Sequence, residues 1–278
     1  MRTAPAPLTT IAGAALSRLG LGCSRVGSFG NPEPPRVQRQ TIAAALDLGI
    51  NVFDTANVYG QGDSERTLGR VLGPMRERAF AVTKIGKRFS AKARLVQPLK
   101  PLILLAPLAL RQRLVTEARG SNIAADFAGV DVAAELDASL VRLGMETVDA
   151  LLLHSPSATA LADPRLGEAL RAALAAGKAR HIGVSCDDAP VLDAALEIGG
   201  VSLVQIPLAL IDTAEGAALV HLARSRGIAV HAREAIRARP DLAPAAAVAA
   251  AARRREADCL IVGASHPDRL RQLAQAAA

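Results

Sequence analysis

The chain has 278 residues, half of them hydrophobic, which suits one large domain with a substantial core. Five Phe, one Tyr and no Trp make that core aliphatic and leave no stacking positions for single-stranded nucleic acid. The net charge of +7 would suit a polyanion, but the basic residues are dispersed, with Arg253-Arg254-Arg255 as a short run, so the charge reads as compositional bias and no nucleic-acid partner is expected.

The start, Met1-Arg2-Thr3-Ala4-Pro5, lacks the long apolar run of a secretory leader. Cys23, Cys186 and Cys259 lie far apart, form no metal-site spacing and are odd in number. Together these features predict a reducing, cytoplasmic setting with no metal and no disulfide framework.

Short apolar runs bounded by glycine or polar residues then alternate with longer amphipathic ones. The first strand falls at Leu19–Gly22. A helical pattern over Val37–Leu48 leads to a strand at Val52-Phe53, and a helix over Glu65–Leu72 leads to Phe80–Thr83. Further strands fall at Val148–Leu153, His181–Val184, Leu203–Ile206, Ile228–Val230 and Cys259–Val262. The helices between and after them cover Val132–Leu143, Arg165–Ala176, Ala189–Ile198, Ala214–Arg226, Ala243–Arg255 and Pro267–Ala277. Glycines stop several helices, at Gly49, Gly177 and Gly227, and Asp163-Pro164 and His266-Pro267 start two. Buried strands alternating with helices imply a parallel sheet, and eight such units predict a closed (β/α)8 TIM barrel spanning residues 1–278 as one domain. An open doubly wound sheet is disfavoured because Leu19-Gly20-Leu21-Gly22-Cys23 does not complete a Gly-x-Gly-x-x-Gly turn.

The connection after the third strand is long, from Ile85 to Val130. Connections of that length usually carry function or their own structure, so 85–130 is read as an insertion or lid, with a helix near Leu108–Arg119. Its apolar stretch 101–110 is too short to span a bilayer. It either faces a substrate or packs on the barrel or a partner subunit.

In a TIM barrel the reactive groups lie where strands end. The second strand ends in Asp54, the third in Lys84 and the fourth in His154, with the chain's one tyrosine, Tyr59, five residues past Asp54. Each has an ordinary structural use alone: a cap, a surface cation, a core imidazole, a packing ring. Brought together, they suit carbonyl reduction. Hydride arriving at a carbonyl carbon builds negative charge on oxygen, which needs a proton donor. A phenol is a weak acid, with an ordinary pKa of about 10, and a nearby Lys84 ammonium is expected to lower it. Asp54 would hold Lys84, and His154 would orient the carbonyl oxygen.

The stretch Gly49-Ile50-Asn51-Val52-Phe53-Asp54-Thr55-Ala56-Asn57-Val58-Tyr59-Gly60 resembles the first signature of the aldo-keto reductases. Ser64 to Gly69, Val82-Thr83-Lys84, Ser139 to His154 and Gly177 to Ser185 continue the resemblance, which runs from about Leu19 to Leu270. It implies a nicotinamide cofactor and a catalytic tetrad at Asp54, Tyr59, Lys84 and His154. It also implies carboxamide contacts at Ser185 and Gln205, an adenosine-phosphate loop at Gly263 to Leu270 including Gly263, Ala264, Ser265 and Arg269, and further cofactor contacts at Gly22, Cys23 and Arg233. Three features depart from the family pattern, besides Gln272-Leu273 where a Glu-Asn pair is usual. Cys186 stands where Asn is usual, Arg233 where a stacking residue is usual, and Gly263-Ala264 where NADPH users often carry Lys-Ser. Arg269 is retained, so NADPH is expected and NADH is possible. The expected reaction is reduction of an aldehyde or ketone, or its reverse, on a small molecule, by a monomer or homo-oligomer that is not membrane-bound. The alternatives are a nicotinamide-binding regulatory or interaction subunit with little turnover, and a lyase or isomerase with retained cofactor.

Overall fold

The computed structural model describes residues 8–11, 14–89, 103, 105–113, 123–124, 127 and 129–278. Eight parallel strands close into a barrel: β1 (Leu19–Gly22), β2 (Val52–Asp54), β3 (Phe80–Ile85), β4 (Val148–His154), β5 (Ala179–Ser185), β6 (Val201–Pro207), β7 (Ala229–Arg233) and β8 (Cys259–Gly263). They neighbour one another in chain order, and β8 closes on β1 through Leu260 to Gly263 opposite Leu19 to Gly22. The longer helices that alternate with the strands are α1 (Pro35–Asp47), α2 (Asp63–Leu72), α3 (Val132–Leu143), α4 (Pro164–Ala175), α5 (Ala189–Leu196), α6 (Ala214–Ser225), α7 (Pro244–Ala252) and α8 (Pro267–Ala277), and short helical turns at Ala158–Leu161 and Ala235–Ala238 follow β4 and β7. The eightfold alternation read from the apolar runs is therefore the fold.

Helix boundaries follow the local chemistry. Asp131, Asp188 and Thr213 cap α3, α5 and α6 by accepting from backbone N–H groups in the first turn. Asp163-Pro164 and His266-Pro267 start α4 and α8 as expected. Gly49, Gly177 and Gly227 follow helix ends with φ of 77°, 69° and 73°, the left-handed turn that glycine adopts without strain. Gly69 lets α2 lie against the end of α3, since a Cβ there would fall 2.0 Å from the Leu143 carbonyl oxygen.

The core has two parts. One fills the barrel with Val52, Phe80, Val82, Ala150, Leu152, Leu203, Ala229, Cys259 and Ile261. The other joins strand exteriors to helices and is built almost wholly of Leu, Ile, Val and Ala. Alternation along each strand divides the two sets. A hairpin that sequence patterning does not mark, Leu8–Ile11 paired with Ala14–Ser17, precedes β1. Leu16 from it joins the barrel-filling set, and Asn51, before β2, is bonded to Ser17 and Ala15.

The 85–130 segment leaves β3 and returns as a two-stranded ribbon, with Arg88-Phe89 antiparallel to Ile123-Ala124. The expected helix over 108–119 is present over residues 108–113; the remainder lies outside the described residues. Leu105 and Leu110 stand exposed rather than buried. Among the described residues no helix is long and apolar enough to cross a membrane.

Candidate active site

The pleat of β2 and β3 turns Asp54 and Lys84 inward at the same end of the barrel. Lys84 Nζ lies 2.7 Å from Asp54 Oδ1 and donates to the Thr55 carbonyl at 3.0 Å. Gln205 Nε2, from β6, donates to the same Asp54 oxygen at 2.8 Å. Ser185 Oγ, from β5, donates to Gln205 Oε1 at 3.3 Å. Five strands thus contribute to one polar floor when His154 of β4 is included.

Tyr59 lies in the loop after β2. Lys84 Nζ sits 5.0 Å from the centre of its ring. The ring meets the His154 imidazole edge-on, with centroids 5.6 Å apart and planes at 89°. The four expected residues are therefore brought together from separate elements. Gln61, Ser155 and Glu234, the non-glycine residues with positive φ among those described, lie in the loops after β2, β4 and β7. Backbone strain of this kind gathers where a site over-determines its loops.

The electrostatics correct one expectation. Burial pushes the Tyr59 phenol above its ordinary pKa of 10.0; Lys84 pulls it down without prevailing, and Asp54 adds to the rise. The phenol is thus held protonated. Burial also acts to lower the Lys84 ammonium, but Asp54 and then Tyr59 outweigh it, so Lys84 is raised and stays charged. His154 is held well below its ordinary 6.5, first by burial and then by Lys84, Lys87 and Arg233. It is a neutral imidazole, and its Nδ1 is buried without a hydrogen-bond partner.

Beside this floor a cavity of about 520 Å³ opens at the ends of β1 and β8. Gly22, Gly263, Ala264, Ser265 and Arg269 all line it, together with Arg25 and Arg237. Its volume is that of a small-molecule site, roughly 300–1,000 Å³. Gly263 leaves open space where a side chain would stand, and three guanidinium groups suit phosphate. The lining fits the nucleotide end of a dinucleotide.

Cys23 and Arg233, both expected near the cofactor, and Cys186, which stands where Asn is usual, each have partners within the chain. Cys23 is fully buried; its N–H goes to Asp54, its carbonyl accepts from Ser64, and its thiol points to the Leu21 carbonyl. Cys186 is also buried, with its thiol toward the Val184 carbonyl and its N–H on Gln205. Arg233 ends β7 and is tied to Asp187, Glu234 and the Cys186 carbonyl.

Three residues escape a reading by strand ends alone. Lys87 is one of the cations acting on His154. His231 is fully buried, both ring nitrogens lack a hydrogen-bond partner, and burial pushes its pKa down to about 4. Strand alternation could have marked it, since it shares a face with Ala229 and Arg233. Glu234 follows Arg233 and lines the cavity.

The family model for the aldo/keto reductase family matches residues 18–238. The chain belongs to the aldo/keto reductase family. It is 28% identical over 224 residues to the NADH-specific methylglyoxal reductase of Escherichia coli strain K12, covering 77% of this chain and 62% of that protein. It is 31% identical over 173 residues to the 6-dehydroglucose reductase of Agrobacterium fabrum, covering 61% of this chain and 50% of that protein. The chain thus spans between half and two thirds of the length of these two relatives. The glycerol dehydrogenase AKR11B4 structure from Gluconobacter oxydans superposes with a TM-score of 0.74 at 22% identity, over 98% of this chain and 90% of that one; that likeness bears on the fold.

Proposed function

We propose that this aldo/keto reductase reduces a small aldehyde or ketone with NADPH or NADH, with Tyr59 as the proton donor. The observation that carries the reading is a buried phenol set between a lysine ammonium and a neutral imidazole at the mouth of a barrel. Bound dihydronicotinamide would supply the hydride. The residues of the chain do the rest. Asp54 and the Thr55 carbonyl fix Lys84 at 2.7 Å and 3.0 Å. Lys84 stabilises negative charge on the Tyr59 oxygen as its proton leaves. A forming alkoxide is a stronger base than phenolate, so the proton passes to the substrate even from a phenol of raised pKa. His154, uncharged, donates a hydrogen bond to the same substrate oxygen without competing as an acid. In the direction of alcohol oxidation Tyr59 would take the proton back.

Ser185 and Gln205 are proposed to meet the carboxamide, exchanging their mutual hydrogen bond for ones to the ligand. Gly22, Gly263, Ala264, Ser265 and Arg269 are proposed to hold the nucleotide end. The arginine-lined cavity supports a 2′-phosphate and hence NADPH, while a relative named for NADH keeps both cofactors in the test. Relatives named as methylglyoxal and dehydroglucose reductases support small carbonyl substrates. The test is oxidation of NADPH and of NADH with methylglyoxal and simple aldehydes. The wild type is expected to consume cofactor, and Tyr59→Phe to lose about 10²–10⁴-fold in kcat while binding cofactor as before. Undiminished turnover in Tyr59→Phe would overturn the role given to the phenol.

A further inference from the structure

Glu234 follows β7 with a left-handed backbone at φ 66°, a conformation a non-glycine residue adopts rarely. The turn brings its carboxylate between two guanidinium groups. Oε1 accepts from Arg233, and Oε2 lies 3.6 Å from Arg237 Nη1. These arginines belong to different parts of the groove. Arg233 donates to Asp187, which also accepts from Ser155 next to His154 at the catalytic end, whereas Arg237 lines the cavity with Ser265 and Arg269. Glu234 therefore bridges the two ends at the level where the middle of a dinucleotide must pass, and that middle is a pyrophosphate.

A carboxylate there has the wrong sign for the ligand and occupies the donors the ligand needs. Two carboxylate oxygens spread over two arginines imitate the oxygens of a phosphate. We propose that Glu234 is a built-in competitor of the cofactor pyrophosphate, holding Arg233 and Arg237 when the groove is free and yielding them when cofactor binds. The inference rests on the cofactor reading given above. Arg233 keeps Asp187 and the Cys186 carbonyl as partners, so displacement of Glu234 leaves it anchored. The pyrophosphate carries more charge and more acceptors than one carboxylate, so it prevails. Part of its binding energy is nevertheless used in the displacement, which loosens the cofactor and speeds its release. Because pyrophosphate is common to both nicotinamide dinucleotides, the effect is the same for each.

The test is calorimetric titration of the intact chain, Glu234→Gln and Glu234→Ala with NADPH, NADH and inorganic pyrophosphate. Glutamine keeps the size of the side chain, and alanine removes its reach altogether. The expected result is a Kd lower by about threefold to tenfold in both variants for all three ligands, the scale of losing one partly buried pair to Arg233 and one exposed contact to Arg237. Unchanged or weaker binding overturns the proposal. A gain for NADPH alone also overturns it, because it would set Glu234 against the 2′-phosphate. If the wild type binds neither nucleotide, the cofactor reading falls and pyrophosphate decides by itself. Tighter pyrophosphate binding in the variants then upholds the seat, and no binding or no difference overturns it.

Discussion

Thr83 and Lys84 follow one another on β3, and the pleat sends them to opposite sides of the barrel wall. Outside, Thr83 Oγ1 donates to Glu65 Oε1 at 2.6 Å, and Arg142 Nε, itself bonded through its other arm to Ser139, donates to Glu65 Oε2 at 2.5 Å. Inside, Lys84 meets Asp54, Gln205 meets the same carboxylate, and Tyr59 and His154 stand over them. Both carboxylates are buried. The outer one spends its oxygens on joining α2, β3 and α3. The inner network leaves an imidazole nitrogen without a partner and a protonated phenol beside a cation. A saturated network fixes elements in place; the inner one sets the charge and protonation of the groups at the barrel mouth.

Breaking each network separates these roles. Lys84→Met is expected to lower kcat by about 10²–10⁴-fold and to cost about 3–5 kcal/mol of stability, because Asp54 is left charged and buried. Glu65→Leu is expected to cost about 1–3 kcal/mol, since Arg142 is partly exposed and can turn to water. Its turnover per folded molecule should match the wild type. Denaturant melts read alongside active-site-normalised rates check both, and a Glu65→Leu protein that folds but turns over slowly would erase the distinction.

A pH profile sharpens the comparison without mutation. Burial and the neighbouring cations keep His154 uncharged through its ordinary 6.5, and burial keeps Tyr59 protonated past its ordinary 10.0. The kcat/KM for carbonyl reduction, which reports the free protein, should therefore be level from about pH 6 to about pH 9. A step near 6.5 would mean that His154 titrates and does not act as a neutral donor.

The smallest effect concerns Cys186. Its thiol is buried and directed at the Val184 carbonyl, so Cys186→Ser should leave the NADPH Kd within roughly twofold, about 0.4 kcal/mol. A larger loss, measured by the same calorimetry, would mean that the thiol reaches the cofactor.

Much of this architecture is written locally. The apolar runs name all eight barrel strands, and glycine or proline marks helix ends at Gly49, Gly177, Gly227, Pro164 and Pro267. The polar residues ending β2, β3 and β4 are visible as breaks in those runs. The N-terminal hairpin is not, because four-residue strands without alternation carry no periodic signal. The ribbon at the base of the 85–130 segment is shorter still.

Which side a strand residue faces follows from the period of two, so the sequence by itself determined that Asp54, Lys84 and His154 share the barrel mouth. The sign of the net shift on Tyr59 was decided only in three dimensions, because desolvation depends on how much protein surrounds the ring and not on which cation lies near it in the chain. The same holds for Glu234: its charge can be read from a letter, but its seat between Arg233 and Arg237 follows from a left-handed turn at the top of a closed barrel. Periodicity is a property of neighbours along the chain, whereas burial and charge pairing are properties of residues that meet only after the barrel has closed.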